Sequence, residues 1–174
     1  MGIYGVKILK FSDFILLENI EIDDFQSYIN YLAGATSGKQ KEFYEWEKKV
    51  SKEIKIEPVE SVFPKCTKEW IRKNAKIKNC FQNSAQVLNL DPEIKYVEGI
   101  CMVMGNKIPI EHAWNSYKGR YFDITKSFWE DRNDSYHKII ELDYKNLWTV
   151  LEKIGAYDAV IPYMFRNNLL ISTD

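Results

Sequence analysis

The stretch Ile108-Pro109-Ile110-Glu111-His112-Ala113-Trp114-Asn115-Ser116-Tyr117-Lys118-Gly119-Arg120-Tyr121-Phe122-Asp123 decides the architecture. Lys118-Gly119 is a turn signal between two runs rich in β-branched and aromatic residues, the pattern of a β-hairpin. Upstream of it, residues 94–104 form another β-like run that ends at a second turn signal, Gly105-Asn106. The expectation is a meander of three antiparallel strands over residues 94–104, 108–117 and 120–125. Just before the first of them, Asn79-Cys80-Phe81-Gln82-Asn83-Ser84-Ala85-Gln86-Val87-Leu88 puts Phe81, Ala85 and Leu88 on one helical face. Asp91-Pro92 ends that helix, so a helix leads directly into the meander.

Further out, the first half reads as mainly helical. Asp23 and Asp24 suit the N-cap of a helix carrying Phe25, Tyr28, Ile29 and Leu32 at helical spacing, with Gly34 closing it. Residues 35–39 read as a loop, and residues 41–54 as a second helix with Phe43, Trp46 and Val50 on one stripe. Pro58 and Pro64 punctuate a loop, and Thr67 is placed to cap a short helix over residues 68–75. A last helix is expected over Tyr144–Ile154, closed by Gly155. Residues 3–9 and 14–17 suggest short strands. The whole reads as a single α+β domain, residues 1–174: a mainly helical part, 1–70, and a core, 71–174, where a cysteine-bearing helix packs on an antiparallel sheet.

Composition narrows the classes of function. The chain has 174 residues, 45% hydrophobic and 14% aromatic, which describes a packed globular protein. Its 24 Lys and Arg against 25 Asp and Glu leave a net charge of −1, without the basic excess that nucleic acid binding needs. The basic run over residues 73–78 reads on its own as a solvated face. The longest apolar stretches, near Phe14 and Ile100, are too short to span a bilayer, and residues 1–10 lack the pattern of a secretory signal. Three cysteines (Cys66, Cys80, Cys101), with no CxxC spacing and only two histidines, argue against both a disulfide framework and a zinc site. A cytoplasmic protein without a metal or organic cofactor is expected, with neither nucleic acid nor membrane as partner.

The reactive residues fall at informative places on this outline. Cys80 opens a helix, where free N–H groups and the helix dipole favour a thiolate. His112 lies mid-strand, and the tight turn at Lys118-Gly119, pairing residue 117 with 120, brings Asp123 within two residues of opposition to it. A thiolate, an imidazole to move its proton and a carboxylate to orient the imidazole make a nucleophilic triad. The Cys80 backbone N–H is a candidate oxyanion donor, with Asn74, Asn79 and Gln82 as unranked side-chain candidates. Glu98, in an apolar strand, either faces the cleft or points to solvent. Trp114 shares a face with His112 and either walls the cleft or fills the core, while Glu111 alternates to the opposite face. Cys101 reads as core, Cys66 as structural and His137 as a surface residue.

The segments His112-Ala113-Trp114-Asn115 and Arg120-Tyr121-Phe122-Asp123-Ile124-Thr125 resemble the histidine and aspartate strands of the transglutaminase-like, papain-related superfamily of cysteine proteins. Cys80, His112 and Asp123 match its catalytic residues in type, order and approximate spacing. The stretches from Lys78 to Asn83 and Tyr96 to Gly99 are also similar to uncharacterised bacterial and phage members. The likeness spans roughly residues 79–125. Ile124 stands where a proline commonly follows the aspartate, and Phe81 where a tryptophan commonly follows the cysteine. The resemblance implies a thioester intermediate and amide or peptide hydrolysis or acyl transfer on a peptide, protein or small acyl or amide substrate, in the host cytoplasm for a phage protein. It equally accommodates a non-catalytic binding module that captures a small molecule or host protein. Asn79, Gln82, Glu98 and Trp114 are then the candidate binding residues.

Overall fold

A computed structural model describes residues 22–106, 108–126 and 134–170. The strands expected over residues 3–9 and 14–17 lie outside them. Two helices come first among the described residues, α1 (Phe25–Ala35) and α2 (Gly38–Val50). The Asp24 carboxylate accepts from the Ser27 N–H at 2.7 Å, and the Ser27 hydroxyl reaches back toward the Asp24 N–H, so a capping box fixes the start of α1. Its Phe25, Tyr28, Ile29 and Leu32 are buried, each contributing about 1.5–3 kcal/mol of apolar burial. Two expectations fail here. Gly34 lies inside α1, and α2 begins at Gly38 within the expected loop. α2 also stops at Val50, because residues 52–54 form strand β1 (Lys52–Ile54) instead of continuing the helix.

Short helices α3 (Val59–Val62) and α4 (Lys68–Asn74) follow, the latter capped by the Thr67 hydroxyl as the sequence implies. Next come α5 (Cys80–Val87) with a 3₁₀ turn, β2 (Ile94–Met102), a helical turn α6 (Val103–Asn106), β3 (Ile108–Tyr117) and β4 (Arg120–Phe122). The helical turn replaces the expected simple turn, and β4 is three residues shorter than expected. Among the described residues the chain closes with β5 (Ser135–Leu142), α7 (Tyr144–Ile154) and α8 (Ile161–Arg166). Asp143 caps α7, and Gly155 ends it at φ 76°, a left-handed conformation that glycine adopts without a Cβ penalty. α8 shows that α7 is not the last helix.

Among the described residues the sheet has five strands in the order β1-β5-β2-β3-β4 rather than the three of the expected meander. The hairpin register is the expected one, with Tyr117 opposite Arg120 and Asn115 opposite Phe122. The sheet is curled: β1 pairs with β5 at one edge, and two residues past its end Ile56 bridges Tyr121 at the other. One chain segment therefore ties both edges together. The sheet's outer face, with Tyr96, Ile100, Met102 and Ala113, packs under the helices in the main core. Its inner face holds a separate cluster of Val97, Cys101, Trp114 and Tyr136, with Ile54 and Ile56 of the tying segment against it.

Two features set where the site forms. β5 bulges at Ile139, opposite the step from Glu98 to Gly99 of β2, where a Cβ on Gly99 would collide with the His137 carbonyl oxygen of β5. Only glycine allows that approach, and Gly99 is the residue directly opposite His112. On the other flank of β3, β4 pairs only Asn115 to Tyr117. The part of β3 that carries His112 is thus left uncovered by β4, with room there for side chains from elsewhere.

Candidate active site

Asp123 sits immediately after β4 and ends the strand. Its Oδ1 accepts from the backbone N–H groups of Thr125 at 2.8 Å and Lys126 at 3.1 Å, folding the chain into a tight turn. Its Oδ2 accepts from His112 Nε2–H at 2.7 Å and from the Tyr136 hydroxyl at 3.0 Å. The carboxylate thus accepts four hydrogen bonds while only 2% exposed. Burial pushes its acidity in the unfavourable direction, but the His112 charge and these donors hold the carboxyl below the usual carboxylate range.

With Nε2–H committed to Asp123, the imidazole also interacts with the Cys80 thiol at the start of α5, which favours the protonated ring. Burial alone would keep His112 neutral. The Asp123 carboxylate and, behind it, the Cys80 side chain outweigh it and raise the imidazole to about 10. Imidazole, carboxylate and phenol form one hydrogen-bonded chain from β3, across the turn after β4, to β5, and the Cys80 side chain at the start of α5 acts on its imidazole end. Tyr136 is the member that sequence reasoning missed. Burial, then the neighbouring Asp123, raises its phenol far above the ordinary value, so it stays a donor.

The other two thiols behave differently. Cys66 is buried and pushed up to about 12, and burial also raises Cys101 within the inner cluster. Both stay protonated near neutral pH.

Cys80 is placed by a lock between two loops. Asn83, one turn into α5 and 1% exposed, accepts from the Lys76 N–H at 2.9 Å and donates to the Lys76 carbonyl at 2.7 Å and the Thr125 hydroxyl at 3.0 Å. It joins the loop before Cys80 to the turn built on Asp123. Asn115 adds a second tie, donating from β3 to the Ser84 carbonyl of α5 at 2.9 Å. The first helical N–H bond of α5 runs from Asn83 to the Asn79 carbonyl, so the N–H groups of Cys80, Phe81 and Gln82 lie ahead of it at the free end of the helix.

The remaining sequence candidates divide. Asn79 and Gln82 are half-buried beside Cys80, with the Asn79 amide donating to Gln82 Oε1 at 3.3 Å. Asn74 instead donates to the Trp70 carbonyl of its own helix. Trp114 is fully buried in the inner cluster, its ring 6.2 Å from that of His112, so it fills the core and walls no cleft. Glu98 faces neither cleft nor solvent. It is 1% exposed on the outer face, accepting from the Tyr96 hydroxyl and the Val160 and Ile161 N–H groups, and thereby pins the start of α8 to β2. Burial raises it to about 7 despite those donors. His137 is no surface residue either: it lies on β5, half-buried and stacked on Phe25 at 4.2 Å.

Among the described residues, no three His, Cys, Asp or Glu side chains converge as a metal site, and no helix is long and apolar enough to cross a membrane. The chain matches no family model, no curated protein and no solved structure.

Proposed function

We propose that this chain is built on a transglutaminase-like, papain-related core and performs cysteine-dependent acyl chemistry. The observation that carries the reading is the buried hydrogen-bonded chain His112–Asp123–Tyr136, with the Cys80 side chain acting on its imidazole. A thiolate at Cys80 attacks the carbonyl carbon of an amide or ester, forming the C–S bond. The negative charge on the carbonyl oxygen is met by N–H groups at the start of α5. As the tetrahedral adduct collapses, the His112 imidazolium gives its Nδ1 proton to the leaving amine or alcohol and the C–N or C–O bond breaks. A thioester on Cys80 remains. Water or an acceptor amine then attacks it, His112 takes up the proton, and the thiolate leaves. Asp123 fixes the tautomer and stabilises the imidazolium, and Tyr136 and the turn amides hold Asp123 ionised.

The burial of Cys80, 9% exposed, favours a second reading, a non-catalytic binding module on the same scaffold. Intact-protein mass spectrometry during incubation with p-nitrophenyl acetate separates the two. The enzyme reading expects an acetyl adduct on Cys80 that decays in time and is absent from Cys80→Ser. No adduct on Cys80 in the folded protein would leave the binding module.

A further inference from the structure

The charge around the thiol is far from the average of the chain. Residues 70–90, which contain Cys80, include no Asp or Glu, the longest such run in the sequence, although acids and bases are nearly balanced overall. The same run carries Arg72, Lys73, Lys76 and Lys78. Read as sequence, this is an ordinary solvated face. The fold gives it a location. Arg72 and Lys73 occupy the last turn of α4, and Lys76 and Lys78 lie on the loop that Asn83 clamps over the start of α5. Lys78 takes a left-handed φ of 65° immediately before the Asn79–Cys80 entry to the helix. A fifth cation, Lys126, comes from the other side of the site: its N–H bonds Asp123, and its ammonium lies 5.7 Å from the Tyr136 ring.

None of these five cations forms an ion pair among the described residues, whereas Lys65, Lys95, Lys118, Arg120 and Lys138 do. The loop of Lys76 and Lys78 and the turn of Lys126 are joined through Asn83, at the helix that Cys80 opens, and such a terminus itself favours anions. Local like charge without local counter-charge raises the free energy of the fold and serves no packing purpose visible here, so it points to the ligand.

We propose, resting on the acyl-transfer reading, that the Cys80 site selects anionic acyl donors, those with a carboxylate close to the reacting carbonyl, and that Lys76, Lys78 and Lys126 supply the selection. An acidic peptide and a small carboxylate-bearing acyl compound share this chemistry.

The test uses two alkylating probes that differ only in charge, iodoacetate and iodoacetamide. Their rate ratio at Cys80 is read by peptide mass spectrometry and referred to the ratio for N-acetylcysteine. The imidazolium of His112 also attracts iodoacetate, so the lysines are isolated by substitution. The expected ratio exceeds the reference by about tenfold at low salt, and falls about twofold for each cation removed in Lys76→Gln, Lys78→Gln and Lys126→Gln, as a unit charge some 8 Å away across water predicts. It also falls as salt is raised. A ratio unmoved by all three substitutions overturns the proposal. A matched pair of peptide chloromethyl ketones, with Glu or Gln at the terminal residue, distinguishes the sources: preference for Glu supports an acidic peptide, and preference for iodoacetate alone supports a small carboxylate. Failure of the underlying reading shows elsewhere, as a slow iodoacetamide rate indifferent to His112.

Discussion

The inner face of the curled sheet has a polar network at each end, and the two are built to different purposes. At the hairpin end, Glu141 accepts from the Ser116 hydroxyl at 2.6 Å and from Lys138 at 2.8 Å, while Lys138 also donates to the Tyr121 hydroxyl at 2.9 Å. Every group there is answered by another, and the network closes on itself. At the other end, Asp123 is satisfied from four sides, and the network opens through His112 onto the Cys80 side chain at the start of a helix. Trp114 and Val97 separate the two. On the proposed reading, a buried ion pair holds a fold together when all its partners are structural, and serves chemistry when one of them adjoins a reactive atom.

Asp123→Ala should break the open network most severely. It strands the buried imidazole, the Tyr136 hydroxyl and two turn amides, and should cost about 3–5 kcal/mol in urea unfolding at pH 7. The pH profile carries the same signature. His112 is raised in the folded state, so its stabilisation is complete below the ordinary histidine value near 6.5 and is lost as pH rises toward about 10. Asp123 is lowered, so its stabilisation is present above the ordinary value of 3.8 and is lost on acidification. Both limbs should shrink in Asp123→Ala; an unchanged profile would mean that the pair contributes nothing.

Gly99→Ala tests the backbone that underlies the open network. The added methyl must push β5 from β2 opposite His112, with an expected loss of about 3 kcal/mol and a drop in Cys80 reactivity. A fully stable variant would mean that the bulge is not needed to seat the histidine.

Glu98→Gln works on the outer face and has a sign that depends on pH. Glu98 is raised to about 7 from an ordinary 4.5, so the folded state gains from it below pH 4.5 and loses that gain as pH rises through 7. Glutamine does not ionise. The variant should therefore improve relative to the parent between pH 4.5 and 8 by on the order of 2 kcal/mol, read by thermal unfolding across pH. Cys80 alkylation should not follow that change.

Glu57→Gln is the smallest. It removes the exposed partner of Arg120, held at 2.6 Å, and screened surface pairs contribute little. The unfolding midpoint and Cys80 reactivity should both stay within experimental scatter. A clear loss of reactivity would show that the sheet ties at β4 reach the thiol.

Much of the open network was legible in the sequence because it is carried by local patterns. Lys118-Gly119 set the hairpin register, and the helical face of Phe81, Ala85 and Leu88 put Cys80 at a helix start. What stayed hidden was non-local. β5 is read poorly because it pairs with β2 across a bulge that breaks its alternation, with Ile139 and Ile140 both in the main core, so Tyr136 could not be assigned to the site. The Tyr136-to-Leu142 run, with two adjacent isoleucines, was the available signal. β1 was concealed by its brevity, since Lys-Glu-Ile continues a helical pattern as easily as it forms an edge strand. Asn83 and Glu98 show the same limit: each is decided by a partner more than 40 residues away, Thr125 for one and Val160 and Ile161 for the other.

The central claim is the thiolate–imidazolium pair of Cys80 and His112. It is tested most directly by the pH dependence of iodoacetamide alkylation at each cysteine, followed by peptide mass spectrometry in the parent, His112→Ala and His112→Gln, with folding checked by circular dichroism. The account predicts that Cys80 reacts fast at about pH 6, well below the free-thiol range near 8.5, and loses that advantage in whichever histidine variant stays folded, while Cys66 and Cys101 remain inert. If Cys80 reacts only as an ordinary thiol does, or at the same rate with and without His112, the account is contradicted.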